Sequence, residues 1–381
     1  MTEWREYKLS EIMETSKKQF KPDNNSQLNY IGLEHIEQGS LRLSGVGASS
    51  TVESNKFFFN KGDVLFGKLR PYFRKVIYAP FDGICSTDIW VCKAKSCCDQ
   101  KFLFYFLANQ DFIDTANTDE GSRMPRASWD YLKDTLWILP PLHEQKAIAE
   151  VLSSLDDKID FLTRQNNTLE DLGQAFFRKW FVEDADEKLK KYPLSELMVI
   201  QNGFAFRSRD YQDAGKYKIV TIKNVQDGFI DTSGTTFLNQ LPVGMPDYVL
   251  LTIGDVLISL TGNVGRVGIV VEDNLLLNQR VAKISPYNPE YLPFLYFYFR
   301  NETTREYLIN LAHGTAQANL SPIETLKTEV SFSKTLIKKY SELFMPMYQK
   351  IIKNKQQIIV LQKLRDTLLP KLISGEVRVK L

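Results

Sequence analysis

The stretch Gly62-Asp63-Val64-Leu65-Phe66-Gly67-Lys68-Leu69 is one residue short of a phosphate-binding loop. Such a loop needs Ser or Thr after Gly-Lys, because the hydroxyl ligates the magnesium that accompanies the phosphates. Leu69 stands there instead. Pro71 falls where the helix of such a loop starts, and it restricts the residue before it. A second copy decides the reading. Gly254-Asp255-Val256-Leu257 repeats the first four residues unchanged, while Ser259-Leu260-Thr261 replaces Gly67-Lys68-Leu69. The shared part is a glycine turn followed by an apolar strand. The stretch is framework and holds no nucleotide.

The repetition extends in both directions. Tyr7-Lys8-Leu9-Ser10-Glu11 returns as Tyr192-Pro193-Leu194-Ser195-Glu196, and Ile31 to Gly39 has its counterpart in Val220 to Gly228. Phe102-Leu103-Phe104-Tyr105-Phe106-Leu107 matches Phe294-Leu295-Tyr296-Phe297-Tyr298-Phe299, and Gly121-Ser122 matches Gly314-Thr315. The offset runs only from 185 to 193 residues, so the chain is a tandem duplication with loop insertions.

Each copy has two parts. The first alternates short β-branched and aromatic runs with Gly, Asn and Asp turns, as in DYVLLTIGDVLISL and GRVGIVV, which predicts a mostly antiparallel β-rich head. The aromatic run predicts a short helix against that sheet. The second part is a long helix. Ile148, Leu152, Leu155, Ile159, Leu162, Asn166, Leu169, Gly173, Phe176 and Trp180 step by fours and threes, as do Tyr340, Phe344, Met347, Ile351, Asn354, Ile358, Leu361, Arg365, Leu368 and Leu372. Both are coiled-coil seams with one Asn each, the usual residue for setting register. Residues 142–182 hold five basic and seven acidic side chains, whereas 334–374 hold nine basic and two acidic. Opposite charge favours pairing with each other over self-pairing. A β-rich head lies between the helices in sequence, so an antiparallel pair closes the chain with least strain. The expected fold class is α+β: two pseudo-repeated β-rich domains, 1–141 and 186–333, separated by two long helices, 142–185 and 334–381, forming an antiparallel coiled coil. About 38 residues of helix span about 57 Å, a rod with a head at either end.

Composition sets the outer limits. The 381 residues are 43% hydrophobic and 25% charged, as in soluble globular proteins. No apolar run approaches a membrane-spanning length and MTEWREYKLSE is no signal peptide, so the expected location is the cytoplasm. Cys85, Cys92, Cys97 and Cys98 lack metal-ligand spacing to each other or to His35 and His143, which predicts reduced structural thiols. A net charge of +2 announces no polyanion binder; its distribution says more.

Four strings stand in order on this frame: Gly203-Phe204-Ala205-Phe206-Arg207-Ser208 with Asp210-Tyr211; LTIGDVLISLTGNVGRVG; Leu139-Pro140-Pro141-Leu142-His143-Glu144-Gln145; and Leu368-Leu369-Pro370-Lys371-Leu372-Ile373-Ser374-Gly375-Glu376. Together they resemble the specificity (S) subunit of Type I restriction–modification enzymes, over the whole chain. The resemblance implies two target-recognition domains that bind double-stranded DNA, within a complex of one S chain and two methyltransferase (M) subunits. The M subunits carry S-adenosylmethionine and methylate adenine, and restriction (R) subunits can join to cleave. It implies no cofactor, metal or catalytic residue in this chain. Asn288-Pro289-Glu290-Tyr291 comes nearest to an adenine methyltransferase motif but has Glu for the second Pro, and Asp82 with Asp99-Gln100-Lys101 only echoes a metal nuclease. There are two departures. The first head has Lys18-Gln19-Phe20-Lys21 where Gly-Phe-Ala-Phe is expected, and Val330 to Thr335 replaces the Pro-Pro-Leu-x-Glu-Gln start of the second helix.

Within that frame the basic patches acquire a reading. Lys56, Lys61, Lys68, Arg70, Arg74 and Lys75 oppose Asp63 alone, with Tyr72 and Phe73 between them. Such cations take phosphates, and an Arg fork also grips guanine in the major groove. Arg123 and Arg126 follow Gly121. The second head offers Arg207, then Thr261, Asn263 and Arg266, then Asn278, Gln279 and Arg280, then Gln317 and Asn319; Asn and Gln suit bidentate contact with adenine. The helix termini, with Pro141, Glu144, Gln145, Ile148, Leu369 and Leu372, are the expected docking residues for M. Two alternatives stay open: a scaffold that binds only proteins, and a DNA-reading adaptor of another phage-defence complex.

Overall fold

The computed structural model describes residues 4–22, 26–117, 124–184, 191–313, 319–330 and 333–380. The chain divides into two compact units, Met1–Lys158 with Leu361–Leu381, and Ile159–Val360. Each takes part of both long helices, Leu142–Arg178 and Lys334–Ser374. Among the described residues no helix is long and apolar enough to cross a membrane.

The first unit is built on a four-stranded antiparallel sheet ordered Met13–Ser16, Ile89–Ala94, Val64–Gly67, Val76–Tyr78. A second, five-stranded sheet contains the one parallel pair among its described strands, Asn29–Ile31 beside Gly83–Cys85. The second unit repeats the framework in register. Val64, Leu65 and Phe66 pair with Tyr78, Ile77 and Val76, and Val256, Leu257 and Ile258 pair with Ile269, Gly268 and Val267. Gly62 (φ +89°) and Gly254 (φ +95°) make the turn into the repeated strand in the left-handed region, which is why both copies keep glycine there. After Gly67-Lys68 the chain makes a single 3-10 turn, Pro71–Phe73, and returns as a strand, so no phosphate-binding helix follows.

The aromatic runs are core. Helices Gln100–Ala108 and Leu292–Arg300 each bury seven of their nine residues. Asp99 caps the first by accepting from the backbone of Lys101 and Phe102, and Asp82 accepts from the Lys61 backbone. Turn and cap geometry thus account for the nuclease-like spacing. Cys85, Cys92 and Cys98 are buried, and burial pushes the Cys85 thiol up to about 12, so a thiolate does not form there at neutral pH.

The helical segments run antiparallel within each unit. In the first, Ile148, Ala149 and Leu152 share a core with Leu369, Leu372 and Ile373. In the second, Phe177 and Phe181 share one with Tyr340, Phe344, Tyr348 and Ile351. The seam departs from its expected course at its end: Phe176 is 37% exposed, whereas Phe177 is 1% exposed. From Gly173 the buried positions step four, then four again, to Phe177 and Phe181. Phe181 lies in a π-helical turn, Lys179–Glu183, whose wider turn carries it round to the core that Phe177 also enters. Gly173 serves that join, since a Cβ there would meet the Phe297 ring at 2.1 Å.

Candidate nucleic-acid interface

Backbone hydrogen bonds draw three loops together in each unit. In the first, Lys68 N donates to Asp88 O at 2.9 Å, Arg70 N to Pro125 O at 2.8 Å, and Ala127 N to Lys68 O at 2.9 Å. In the second, Leu260 N donates to Arg280 O at 2.9 Å and Leu320 N to Leu260 O at 2.8 Å. Isolated bridges complete the match: Leu69 pairs with Arg126, and Thr261 with Asn319. One backbone scaffold therefore carries two sets of side chains, with Asp88 where the other unit has Arg280 and Arg126 where it has Asn319. Arg123 and Gln317 lie outside the described residues.

The first unit's cations divide by their engagement. Arg74 Nη2 donates to Asp366 Oδ1 at 3.0 Å and to Gly39 O at 3.3 Å, tying the loop to the C-terminal helix. Lys75 Nζ donates to Leu33 O, and Arg126 pairs with Asp88 at 3.4 Å. Lys68 and Arg70 have no side-chain hydrogen bond or ion pair among the described residues, and Tyr72 is exposed beside Phe73. Arg70 (φ +52°) and Arg74 (φ +48°) are both left-handed, which costs a non-glycine residue about 1–2 kcal/mol. Asp88 and Asp366 were not foreseen. An Asp in a short turn and an Asp beside a buried helical Arg carry no signal along the sequence.

In the second unit Arg207, Asn263, Gln279, Arg280 and Asn319 are exposed. Arg266 Nη1 donates to Gln226 Oε1 at 3.0 Å. Two expected readers are corrected. Asn278 is buried and donates to the Tyr211 hydroxyl at 3.4 Å, so it braces the opening loop. The Thr261 hydroxyl oxygen is buried, because its strand-like bridge to Asn319 turns it inward. Gly203 meets the Asn278 carbonyl so closely that a Cβ would lie 2.1 Å from it, a physical reason for the glycine of that opening motif. Where the first head lacks the motif, Gln19–Phe20 forms a strand against Lys56–Phe57 with Phe20 buried.

The expected docking residues are mostly internal. Glu144, 2% exposed, receives Arg378 Nε at 2.8 Å, Arg378 Nη2 at 2.6 Å and Trp4 Nε1 at 3.2 Å. The Arg378 fork holds its carboxyl below the usual carboxylate range, against the opposing effect of burial. Gln145, 1% exposed, donates to Cys97 O and Pro140 O and accepts from Asp99 N. Ile148, Leu369 and Leu372 are buried in the same unit, and only Pro141 is partly exposed. The Glu-Gln pair closes this unit around the C-terminal tail, so these five side chains are not a surface for another chain. By the seam offset of 192 residues, rather than by the string Val330 to Thr335, the corresponding positions in the second helix are Leu336 and Ile337, which pack into the apolar core.

Partly buried ion pairs tie both helices to the heads. Arg365 Nη1 donates to Asp156 Oδ1 at 2.8 Å and to Ser40 O at 3.1 Å, and Tyr105 donates to Asp156 Oδ2 at 2.7 Å. In the second unit Glu170 takes that part, paired with Arg300 and with Lys355 at 3.4 Å and accepting from the Tyr296 hydroxyl at 3.1 Å. Asp156 and Glu170 are fourteen residues apart, two heptads on one helix.

The chain is 27% identical over 333 residues to the MjaIX specificity subunit of Methanocaldococcus jannaschii, covering 81% of this chain and 72% of that one. It is 21% identical to the HindI specificity subunit of Haemophilus influenzae, covering 99% and 100%. The crystal structure of an S subunit from M. genitalium matches with a TM-score of 0.59 at 20% identity, covering 97% and 96%, a likeness of fold. Residues 1–171 and 186–333 each match the family described as the Type I restriction modification DNA specificity domain. With both copies of the repeat matched, the chain belongs to that family.

Proposed function

We propose that this chain is the non-catalytic reader of a Type I restriction–modification complex, each unit recognising one half of a bipartite, asymmetric site in double-stranded DNA. One observation carries the reading: a single backbone scaffold occurs twice, and the side chains on its three gathered loops differ at nearly every position. Different side chains on one scaffold read different bases, so the site is not a palindrome. The long helices set the length of the unread gap. Two M subunits dock, one for each copy of the repeat, and bring S-adenosylmethionine and adenine methylation. The chain itself contributes recognition only, in the cytoplasm.

The test is methylome sequencing of a host expressing this chain with its M subunit. The expected result is one new motif of two dissimilar halves around a fixed gap, with methylated adenines. A palindromic motif, or no new motif beside an active M subunit, overturns the reading.

A further inference from the structure

The loop between Gly67 and Val76 and its counterpart between Ser259 and Val267 close with the same backbone hydrogen bond, Gly67 N to Lys75 O and Ser259 N to Arg266 O. Each has two left-handed points. In the second unit they are Gly262 (φ +71°) and Gly265 (φ +75°); in the first they are Arg70 (φ +52°) and Arg74 (φ +48°). Glycine takes this conformation without strain and arginine does not. Strained backbone persists where the surrounding structure holds it, and it clusters at sites that bind or react.

Arg74 has a structural reason to be there, its bonds to Asp366 and the Gly39 carbonyl. Arg70 has none of this kind. Its guanidinium lies over the Phe73 ring at 5.9 Å and makes no hydrogen bond or ion pair among the described residues, and its Nε is enclosed. The second unit has its own case at a different point of the scaffold. Arg280 is left-handed (φ +71°), exposed, and without a side-chain partner among the described residues, while its carbonyl makes the framework bond that Asp88 makes in the first unit. The other described arginines of the gathered loops, Arg74, Arg126 and Arg266, are engaged with Asp366, Asp88 and Gln226.

Resting on the reading that each unit recognises half of a DNA site, we propose that Arg70 and Arg280 are the specificity-determining residues that each read a guanine, one in each half-site. An arginine fork meets guanine O6 and N7 together in a fixed plane, whereas a lysine reaches them as a point charge on a flexible stem and reads them less selectively. Both arginines leave their forks unspent among the described residues. Their different places on the scaffold put the guanine at different positions in the two halves.

The experiment selects duplexes from a random-sequence library with the full-length chain and its R70G, R70K, R280G and R280K variants, and reads the enriched motif. Glycine already occupies the Arg70 position in the second unit, so R70G is expected to keep or raise the melting temperature. It should weaken preference for one guanine in one half-site by about 5- to 150-fold. R280G should do the same in the other half only, and the lysine variants should weaken the same preference although they keep the charge. As a measurement independent of folding, 7-deazaguanine at those two positions should weaken binding by the wild-type chain. Unchanged motifs in the glycine variants, full specificity in the lysine variants, or indifference to 7-deazaguanine overturns the assignment while leaving DNA reading intact. A wild-type chain that enriches no motif overturns both.

Discussion

Asn354 Nδ2 donates to Asn166 Oδ1 at 2.9 Å, joining two buried amides on antiparallel segments of the two long helices. Asn354 also reaches Gln165 Oε1 at 2.8 Å. In sequence each Asn aligns with an apolar residue of the other copy, Ile358 for Asn166 and Leu162 for Asn354. Only antiparallel pairing brings them together. Replacing Asn354 by Leu strands the Asn166 amide and should cost about 1–3 kcal/mol in denaturant unfolding. The double Leu variant should recover most of that loss, since matched apolar groups satisfy the site, while register becomes less specific. Additive losses in the double-mutant cycle would show that the two amides do not interact.

Glu144 makes the closure of the first unit depend on pH. Its carboxyl is held below the ordinary value of 4.5, first by the Arg378 fork, so the folded state binds the proton less readily than the unfolded state. Its stabilisation is complete above 4.5 and is lost as pH falls through the lower folded value. Glu144→Gln should remove this component, so variant and wild type differ at pH 7 and approach each other as the pH falls below 4.5. The measurement is thermal unfolding across that range, with Trp4 fluorescence reporting the tail. A constant difference at all pH values would count against it.

Lys68 and Arg74 should behave differently although they stand six residues apart. The Lys68 ammonium has no partner among the described residues and is available to a phosphate, so Lys68→Gln should lower the slope of log affinity against log salt by about 0.9. Arg74 is engaged with Asp366, and Arg74→Gln should lower thermal stability while leaving the slope nearly unchanged. Fluorescence anisotropy across a salt series, together with melting curves, separates the two. Equal slopes in both variants and wild type would remove Lys68 from the DNA face.

A heptad inserted into each helix should lengthen the unread gap. The Asn166–Asn354 register sets the places, between Thr163 and Arg164 in one helix and between Gln356 and Gln357 in the other. Seven residues rise about 10.5 Å, close to three base pairs at about 3.4 Å each. Methylome sequencing should return both half-sites unchanged with a gap about three base pairs longer. A changed half-site with an unchanged gap would mean that the helices are not the ruler.

Internal repetition determined most of the architecture without any coordinates. Gly62 and Gly254, the aromatic helices and the opposite charge of two seam-bearing segments each specify local structure, because turn conformation, burial and pairing are read from neighbouring residues. The partners of polar side chains were decided only by the tertiary structure. Glu144 and Gln145 stand in a signature that suggests an exposed docking surface, yet Arg378, Trp4 and Asp99 enclose them from far along the chain. Arg70 and Arg74 look alike in sequence, and Asp366, nearly three hundred residues away, is what makes one an anchor and leaves the other's fork unpaired. A periodic pattern records which face of an element is buried. It does not record which distant group closes over a charge, and that closure separates framework from the side chains left to meet a ligand.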